Sequence, residues 1–67
     1  MSAKFPRTTP VTVFLRRATA DGIHFTEHAG YRHAQAGETL AEARERIARG
    51  LDVLPDRVTL DFAQEAP

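Results

Sequence analysis

Apolar and polar residues alternate in two stretches of the first half of the chain, residues 11–17 and residues 23–28. A period of two residues is typical of a β-strand that has one face against a core. The dipeptide Asp21-Gly22 lies between the two stretches and is suited to the positive φ values of a tight turn. We therefore predict a β-hairpin. Ala29-Gly30 interrupts the second strand, which we expect to continue through residues 31–33 beyond a bulge or kink.

A helical repeat follows in residues 37–50, where apolar residues recur three or four positions apart. Thr39 and Glu42 are spaced for a capping box, in which each side chain bonds the backbone amide of the other residue. Gly50 is suited to the left-handed conformation that ends many helices. Two i,i+4 ion pairs are also predicted on this helix, Glu42 with Arg46 and Glu45 with Arg49.

A turn at residues 54–56 and an alternating stretch at residues 57–62 complete the pattern. The order ββαβ predicts an α+β fold in which one helix packs on one face of a three-stranded sheet. Because a helix that connects two strands of one sheet usually leaves them parallel, we expect the last strand to run parallel to a hairpin strand, most simply the first. The predicted division is an extended arm at 1–10, a single domain at 11–62 and a tail at 63–67.

The predicted core collects the inward-facing apolar residues of the hairpin, the helix, the turn and the last strand. They are Val11, Val13, Leu15, Ile23, Phe25, Leu40, Ala43, Ile47, Leu51, Leu54, Val58, Leu60 and Phe62.

Residues 36–43 and 54–62 resemble the matching segments of a ubiquitin-like β-grasp domain, where a hairpin precedes a capped helix, a Pro-Asp turn and a strand that ends in an aromatic residue. The resemblance covers residues 11–62 and implies a fold of this kind and a protein-binding function. The family's sheet has a further strand between the first and the third, which this chain does not supply. Residues 64–67 also lack the paired terminal glycines of modifiers and sulfur carriers, which argues against conjugation and sulfur transfer.

The absence of the further strand leaves two possibilities open. Either the last strand pairs directly with the first, or another chain fills the gap between them. Both outer edges of a three-stranded sheet are unpaired, and each can recruit a partner strand or a second copy of the chain.

The composition of the chain limits its function. A length of 67 residues allows one small domain, in which a pocket of the usual enzyme size is hard to build. The chain has no cysteine, which excludes disulfides and fits a cytoplasmic location. No apolar run is long enough for a membrane span or a signal peptide. Residues 1–33 carry five basic and two acidic side chains and residues 34–67 carry four and seven, so the two halves have opposite charge.

Histidine is the only residue type here that suggests a metal site, and the spacing argues against one. His24 and His28 share a strand face about 13 Å apart at ~3.3 Å per residue, too far for two ligands of one zinc ion. His33 lies beyond the Ala29-Gly30 break, and no cysteine is available as a further ligand. We therefore predict surface histidines, with no metal and no cofactor.

The outward face of the predicted hairpin is the best candidate for a partner-binding site. An exposed aromatic residue beside basic and imidazole groups suits a protein contact, and the same combination suits single-stranded nucleic acid. The candidate residues are Phe14, Arg16, His24, Thr26, His28, Tyr31 and Arg32.

No catalytic constellation can be placed in this sequence, because the acidic side chains lie mainly on the helix and after it whereas the histidines cluster earlier. We predict a small non-catalytic protein-protein interaction module, an adaptor or regulatory protein, with self-association through a sheet edge as one form of that contact. The alternative is a nucleic-acid-binding or regulatory protein that uses the same sheet face. Nucleic-acid binders are usually markedly basic, and this chain has no net charge.

Overall fold

The computed structural model describes residues 3–63 and shows the predicted α+β fold with the element order ββαβ. The helix packs on one face of a three-stranded sheet, as expected. Residues 1–2 of the predicted arm and residues 64–67 of the predicted tail lie outside the described residues. A short 3-10 helix, Pro55–Arg57, replaces the predicted turn. The main elements are β1 (Thr9–Ala18), β2 (His24–Ala34), α1 (Leu40–Leu51) and β3 (Val58–Asp61).

The last strand pairs directly with the first, and the sheet order is β2-β1-β3. The last strand does run parallel to a hairpin strand, but that strand is β2; the choice of β1 was wrong, because β3 runs antiparallel to β1. The helix follows β2 in the chain, so it connects β2 to β3, and those are the two strands that run in the same direction. The rule that a helical connection leaves strands parallel therefore holds for β2 and β3, with β1 inserted between them.

A bulge in β2 confirms the predicted interruption at Ala29-Gly30. Thr12 pairs with Tyr31 and Phe14 pairs with His28, so β2 has one more residue than β1 in this interval. Gly30 has a φ of 104°, a backbone conformation that residues with a Cβ atom rarely adopt. Because the extra residue reverses the alternation, residues 24, 26 and 28 share one face of β2 with residues 31 and 33.

The hairpin loop is longer than the two-residue turn that Asp21-Gly22 suggests. It spans residues 19–23 and is closed by a hydrogen bond of 2.9 Å from the Thr19 amide to the Ile23 carbonyl. The Ile23 amide in turn donates to the Thr19 hydroxyl, and Gly22 adopts a φ of 83°. Ile23 consequently belongs to the loop rather than to the strand.

The core lies between α1 and the face of the sheet that carries the odd-numbered residues of β1. Seven predicted core residues are buried, and Leu40, Leu51 and Phe62 pack against them half-buried. Sequence reasoning missed Phe5, Ala34 and Ala48. The buried residues are Phe5, Val11, Val13, Leu15, Ala34, Ala43, Ile47, Ala48, Val58 and Leu60.

Three predicted core residues are wrong: Ile23, Phe25 and Leu54 are 62%, 45% and 66% exposed. Leu15 is the last residue of β1 that pairs with β3, whereas the β1–β2 hairpin continues three residues further. Phe25 is opposite Arg17 in this extension, on the predicted face but beyond the end of the helix.

The described part of the N-terminal arm, which begins at residue 3, is docked against the domain at Phe5. The Phe5 amide donates to the Glu38 carbonyl and the Gly37 amide donates to the Phe5 carbonyl, each at 2.8 Å. The Phe5 ring is buried and meets the Phe62 ring edge-on, with 5.0 Å between the ring centroids. The arm therefore fixes the connection between β2 and α1.

The helix begins as predicted and ends differently. Both hydrogen bonds of the Thr39–Glu42 capping box are present. Gly50 lies inside the helix, because the left-handed residue that ends it is Asp52, with a φ of 57° and an amide bonded to the Ala48 and Arg49 carbonyls. Aspartate is one of the few residues with a side chain that adopt this conformation readily.

Of the two predicted ion pairs on the helix, only one forms. Glu45 and Arg49 approach to 3.7 Å. The predicted pair of Glu42 with Arg46 is wrong, since Glu42 caps the helix and Arg46 binds Glu38 instead.

Candidate binding surface

The face of the sheet opposite α1 carries most of the predicted binding residues, and we call it the open face. The pairing of β1 with β2 places Phe14 opposite His28, Arg16 opposite Thr26 and Ala18 opposite His24. Directly paired residues in antiparallel strands project from the same side of the sheet. Within residues 3–63, the helix and the docked arm both pack on the other side. Six of the seven predicted residues thus share this face: Phe14, Arg16, His24, Thr26, His28 and Tyr31.

Arg32 is the exception. It is paired with Val11, whose side chain is buried against the helix, so Arg32 belongs to the helix side of the sheet at its outer edge. Its guanidinium donates to the Tyr31 carbonyl at 2.8 Å and the side chain is exposed.

Three rings form a contiguous cluster on the open face. The centroids of Phe14 and His28 are 5.7 Å apart, those of His28 and Tyr31 are 5.1 Å apart, and both pairs are edge-to-face. The bulge makes the second contact possible, because it brings Tyr31 onto the same face as His28. Tyr31 is 71% exposed, whereas Phe14 is half-buried among its neighbours. The ring contacts therefore hold the three side chains in place, and the cluster exposes aromatic surface to solvent.

The charges around the ring cluster nearly balance. The Arg16 guanidinium donates to the Asp56 carbonyl at 2.8 Å, which ties the end of β1 to the 3-10 helix. Asp61 of β3 is opposite Thr12 and lies on the same face. The open face thus combines aromatic area with one arginine, one carboxylate and imidazole groups.

A concave region lies at the hairpin end, where the strands extend past the helix. It is an open cleft of about 600 Å3 between the hairpin and the segment after α1. From the length of the chain we did not expect a cleft of this size. It forms where the hairpin extends past the helix, so it is not a cavity enclosed within the core. It is lined by Leu15, Arg16, Arg17, Ala18, Phe25, Asp52, Val53, Leu54 and Arg57.

The cleft combines apolar carbon with guanidinium groups. Arg17 forms an ion pair with Glu27, which lies beside it on the helix side of β2. Phe25 and Leu54 supply exposed apolar surface. Sequence reasoning missed the cleft, and the signal that could have found it is the greater length of the strands compared with the helix.

A charged cluster fixes the opposite end of β2. Arg46 donates from Nε and Nη2 to both carboxylate oxygens of Glu38, at 2.8 and 3.0 Å, and Nη2 also reaches the His33 carbonyl at 2.7 Å. The Arg46 hydrogen bonds and the Gln35 amide, which donates at 2.7 Å, lower the pKa of Glu38. The same pairing raises the pKa of Arg46. This cluster holds α1 against the end of the strand.

The three histidines lie along the open face, His24 and His28 on one side of the bulge and His33 on the other. No group of three histidine or acidic side chains close enough to hold a metal ion occurs among residues 3–63. The part of the chain that the structure describes has no helix of the length and apolarity that a membrane span requires.

Comparisons of the chain with models of known protein families, with curated proteins and with solved structures gave no match. The resemblance to ubiquitin-like β-grasp domains therefore stays a prediction.

Proposed function

We propose that this chain is a non-catalytic protein-binding module that contacts its partner through the open face. The observation that carries the proposal is the Phe14–His28–Tyr31 ring cluster, which lies on the face of the sheet that neither the helix nor the docked arm covers within residues 3–63. Aromatic residues and arginine are enriched in protein interfaces, because they supply a large contact area at low conformational cost.

The ring cluster is suited to this role because it is already ordered. Phe14 lies on the central strand, which is paired on both sides, so its backbone is fixed before any partner arrives. A contact surface that is rigid in the free protein loses less conformational entropy on binding than a flexible one. Arg16 at the margin is held by the Asp56 carbonyl and adds a directed donor.

The cytoplasm is the proposed location of this module, and the supporting feature is the absence of cysteine. The β-grasp resemblance, with its habit of protein binding, supports the same function.

The test compares partner capture by the wild-type chain and by variants. Phe14→Ala with Arg16→Ala removes the cluster's ring on the central strand and the neighbouring guanidinium. Ile23→Ala is the matched control, since Ile23 is an exposed apolar residue in the hairpin loop. We expect proteins from a cell extract, identified by mass spectrometry, to bind the wild type and the control but not the double variant. Circular dichroism checks that all three are folded. Equal capture by the double variant would contradict the proposed site.

The second candidate is a single-stranded nucleic acid, which the three rings on an open antiparallel sheet favour. Asp61 on the same face and the zero net charge of the chain argue against it. A labelled mixed-sequence oligonucleotide distinguishes the two functions. Affinity that falls steeply with salt and is lost in Tyr31→Ala would support nucleic acid. We expect no such binding.

A further inference from the structure

The outer edge of β2 has no neighbouring strand within residues 3–63, since this 11-residue strand pairs only with β1. Two β2 carbonyls accept side-chain hydrogen bonds instead, that of Tyr31 from Arg32 and that of His33 from Arg46. Ala34 is the single buried residue of β2. The molecule is elongated, measuring 43 × 23 × 23 Å with a radius of gyration of 12.9 Å. A compact domain of this length has a radius of gyration of about 11 Å.

We infer that a second copy of this chain covers this edge, with the two β2 strands antiparallel around a two-fold axis. The result is a six-stranded antiparallel sheet with both helices on one side and both open faces on the other. The inference goes beyond the proposed function, since it uses the strand edge and does not depend on the open face. One register supports it. In that register the paired side chains lie on the same side of the sheet, opposite charges face each other, and exposed apolar residues become covered.

The bulge selects that register. In a symmetric antiparallel pair, each residue must face a residue of the other copy that lies on the same side of the sheet. Because the bulge reverses the alternation, this condition holds along the whole strand only when Ala29 of each copy is opposite Gly30 of the other. The two small residues then lie at the axis, and residues 25–34 of both copies are paired.

Charge complementarity supports the same register. Glu27 of each copy, which also pairs with Arg17 of its own chain, is then opposite Arg32 of the other copy, and both residues lie on the helix side of the sheet. Side chains that are directly opposite have their Cβ atoms about 5 Å apart, within reach of an ion pair. The two-fold axis makes this contact twice.

The register also covers apolar surface that the single chain leaves exposed. Phe25, which is 45% exposed, comes opposite Ala34 of the other copy, near the start of that copy's helix. Tyr31, which is 71% exposed, comes opposite His28 of the other copy, so the two ring clusters become one continuous row.

The experiment is sedimentation equilibrium of the full chain over a wide concentration range at low salt, where ion pairs are least screened. We expect the mass to rise from 7.4 kDa toward twice that value with concentration. Glu27→Arg places like charges at both symmetric contacts, and Arg32→Glu does the same. Each single variant should raise the dissociation constant of the dimer at least tenfold.

The double variant E27R with R32E reverses both contacts, so its dimer should have a clearly lower dissociation constant than that of E27R alone, which likewise lacks the Arg17–Glu27 ion pair; a double-mutant cycle measures this coupling. Glu45→Arg is the matched control, because it makes the same charge change on the exposed face of the helix and should leave the mass unchanged. Circular dichroism verifies the fold of each variant.

Hydrogen exchange gives an independent measurement, since the outward amides of residues 24–34 should exchange more slowly as the concentration rises. A monomer at every concentration would overturn the inference. So would equal dissociation constants for E27R and the double variant. A monomeric chain that still captures a partner through Phe14 would leave the proposed function intact, and a dimer without such capture would leave only this inference.

Discussion

Removal of the Phe5 ring tests whether the N-terminal arm is part of the folded domain. Phe5 is 8% exposed and meets the Phe62 ring at 5.0 Å. Phe→Ala changes in a core cost about 3–5 kcal/mol. We expect about 3 kcal/mol for Phe5→Ala, because the ring lies at the margin of the core beside half-buried Phe62. A chain of 67 residues has a total stability of about 3–10 kcal/mol, so the loss takes a large share of it.

Urea unfolding followed by far-ultraviolet circular dichroism measures this loss, since the chain has no tryptophan. At about 4–8 °C per kcal/mol for a domain of this size, the midpoint of thermal unfolding should fall by roughly 12–24 °C. Phe5→Leu should retain most of the stability, because it keeps apolar volume at the site. Ile23→Ala, at an exposed site, should change the free energy of unfolding by less than about 0.5 kcal/mol. A loss below about 1 kcal/mol in Phe5→Ala would show that the arm contributes nothing to the core.

Three further predictions concern the ends of the helix and the hairpin. Glu38 has a lowered pKa in the folded chain, so its contribution to stability is complete above the unfolded carboxyl pKa of about 4.3 and is lost as the pH falls through the lower folded value. Urea unfolding between pH 6 and pH 2 should show this loss, and Arg46→Met should reduce the dependence of the unfolding free energy on pH. Thr39→Ala should cost about 1 kcal/mol and Thr39→Ser much less, measured by the same unfolding experiment, because serine also caps. At concentrations where the chain is monomeric, Phe25→Ala should cost less than about 1 kcal/mol, since the ring is 45% exposed; a cost near 3 kcal/mol would place it in the core after all.

The alternation of residues along the strands was sufficient to predict the faces of the sheet. Val11, Val13 and Leu15 are buried, and Phe14 and Arg16 lie on the other side, as their period of two predicts. The capping box and the bulge could also be predicted from the sequence, because each depends on residue types within a few positions of one another. The direction of β3 also follows from the order of the elements, since the helix leaves β2 and its crossover makes β3 parallel to β2, whereas the placement of β3 beside β1 is a non-local property that periodicity does not contain.

The exposed residues Ile23, Phe25 and Leu54 show why the core could not be read from periodicity alone. Periodicity assigns a face to Phe25 correctly but does not say whether anything covers that face. Coverage depends on lengths. An 11-residue strand spans about 36 Å at ~3.3 Å per residue, whereas a 12-residue helix spans about 18 Å at ~1.5 Å per residue. The helix therefore covers about half of the hairpin, and the uncovered half holds the cleft.

The same difference in length explains how so short a chain can both fold and bind. One helix and a four-residue third strand form the core over the middle of β1, and the docked Phe5 extends that core on the side of β2's end. The end of the hairpin beyond Leu15 is held by backbone pairing between β1 and β2, not by burial. Exposed side chains on the open face, such as Tyr31, likewise add little to the stability of the single chain and are available for a contact with a partner. Substitutions that weaken binding at Tyr31 should therefore leave the free energy of unfolding of the monomer nearly unchanged, whereas those at Val13 should affect folding first.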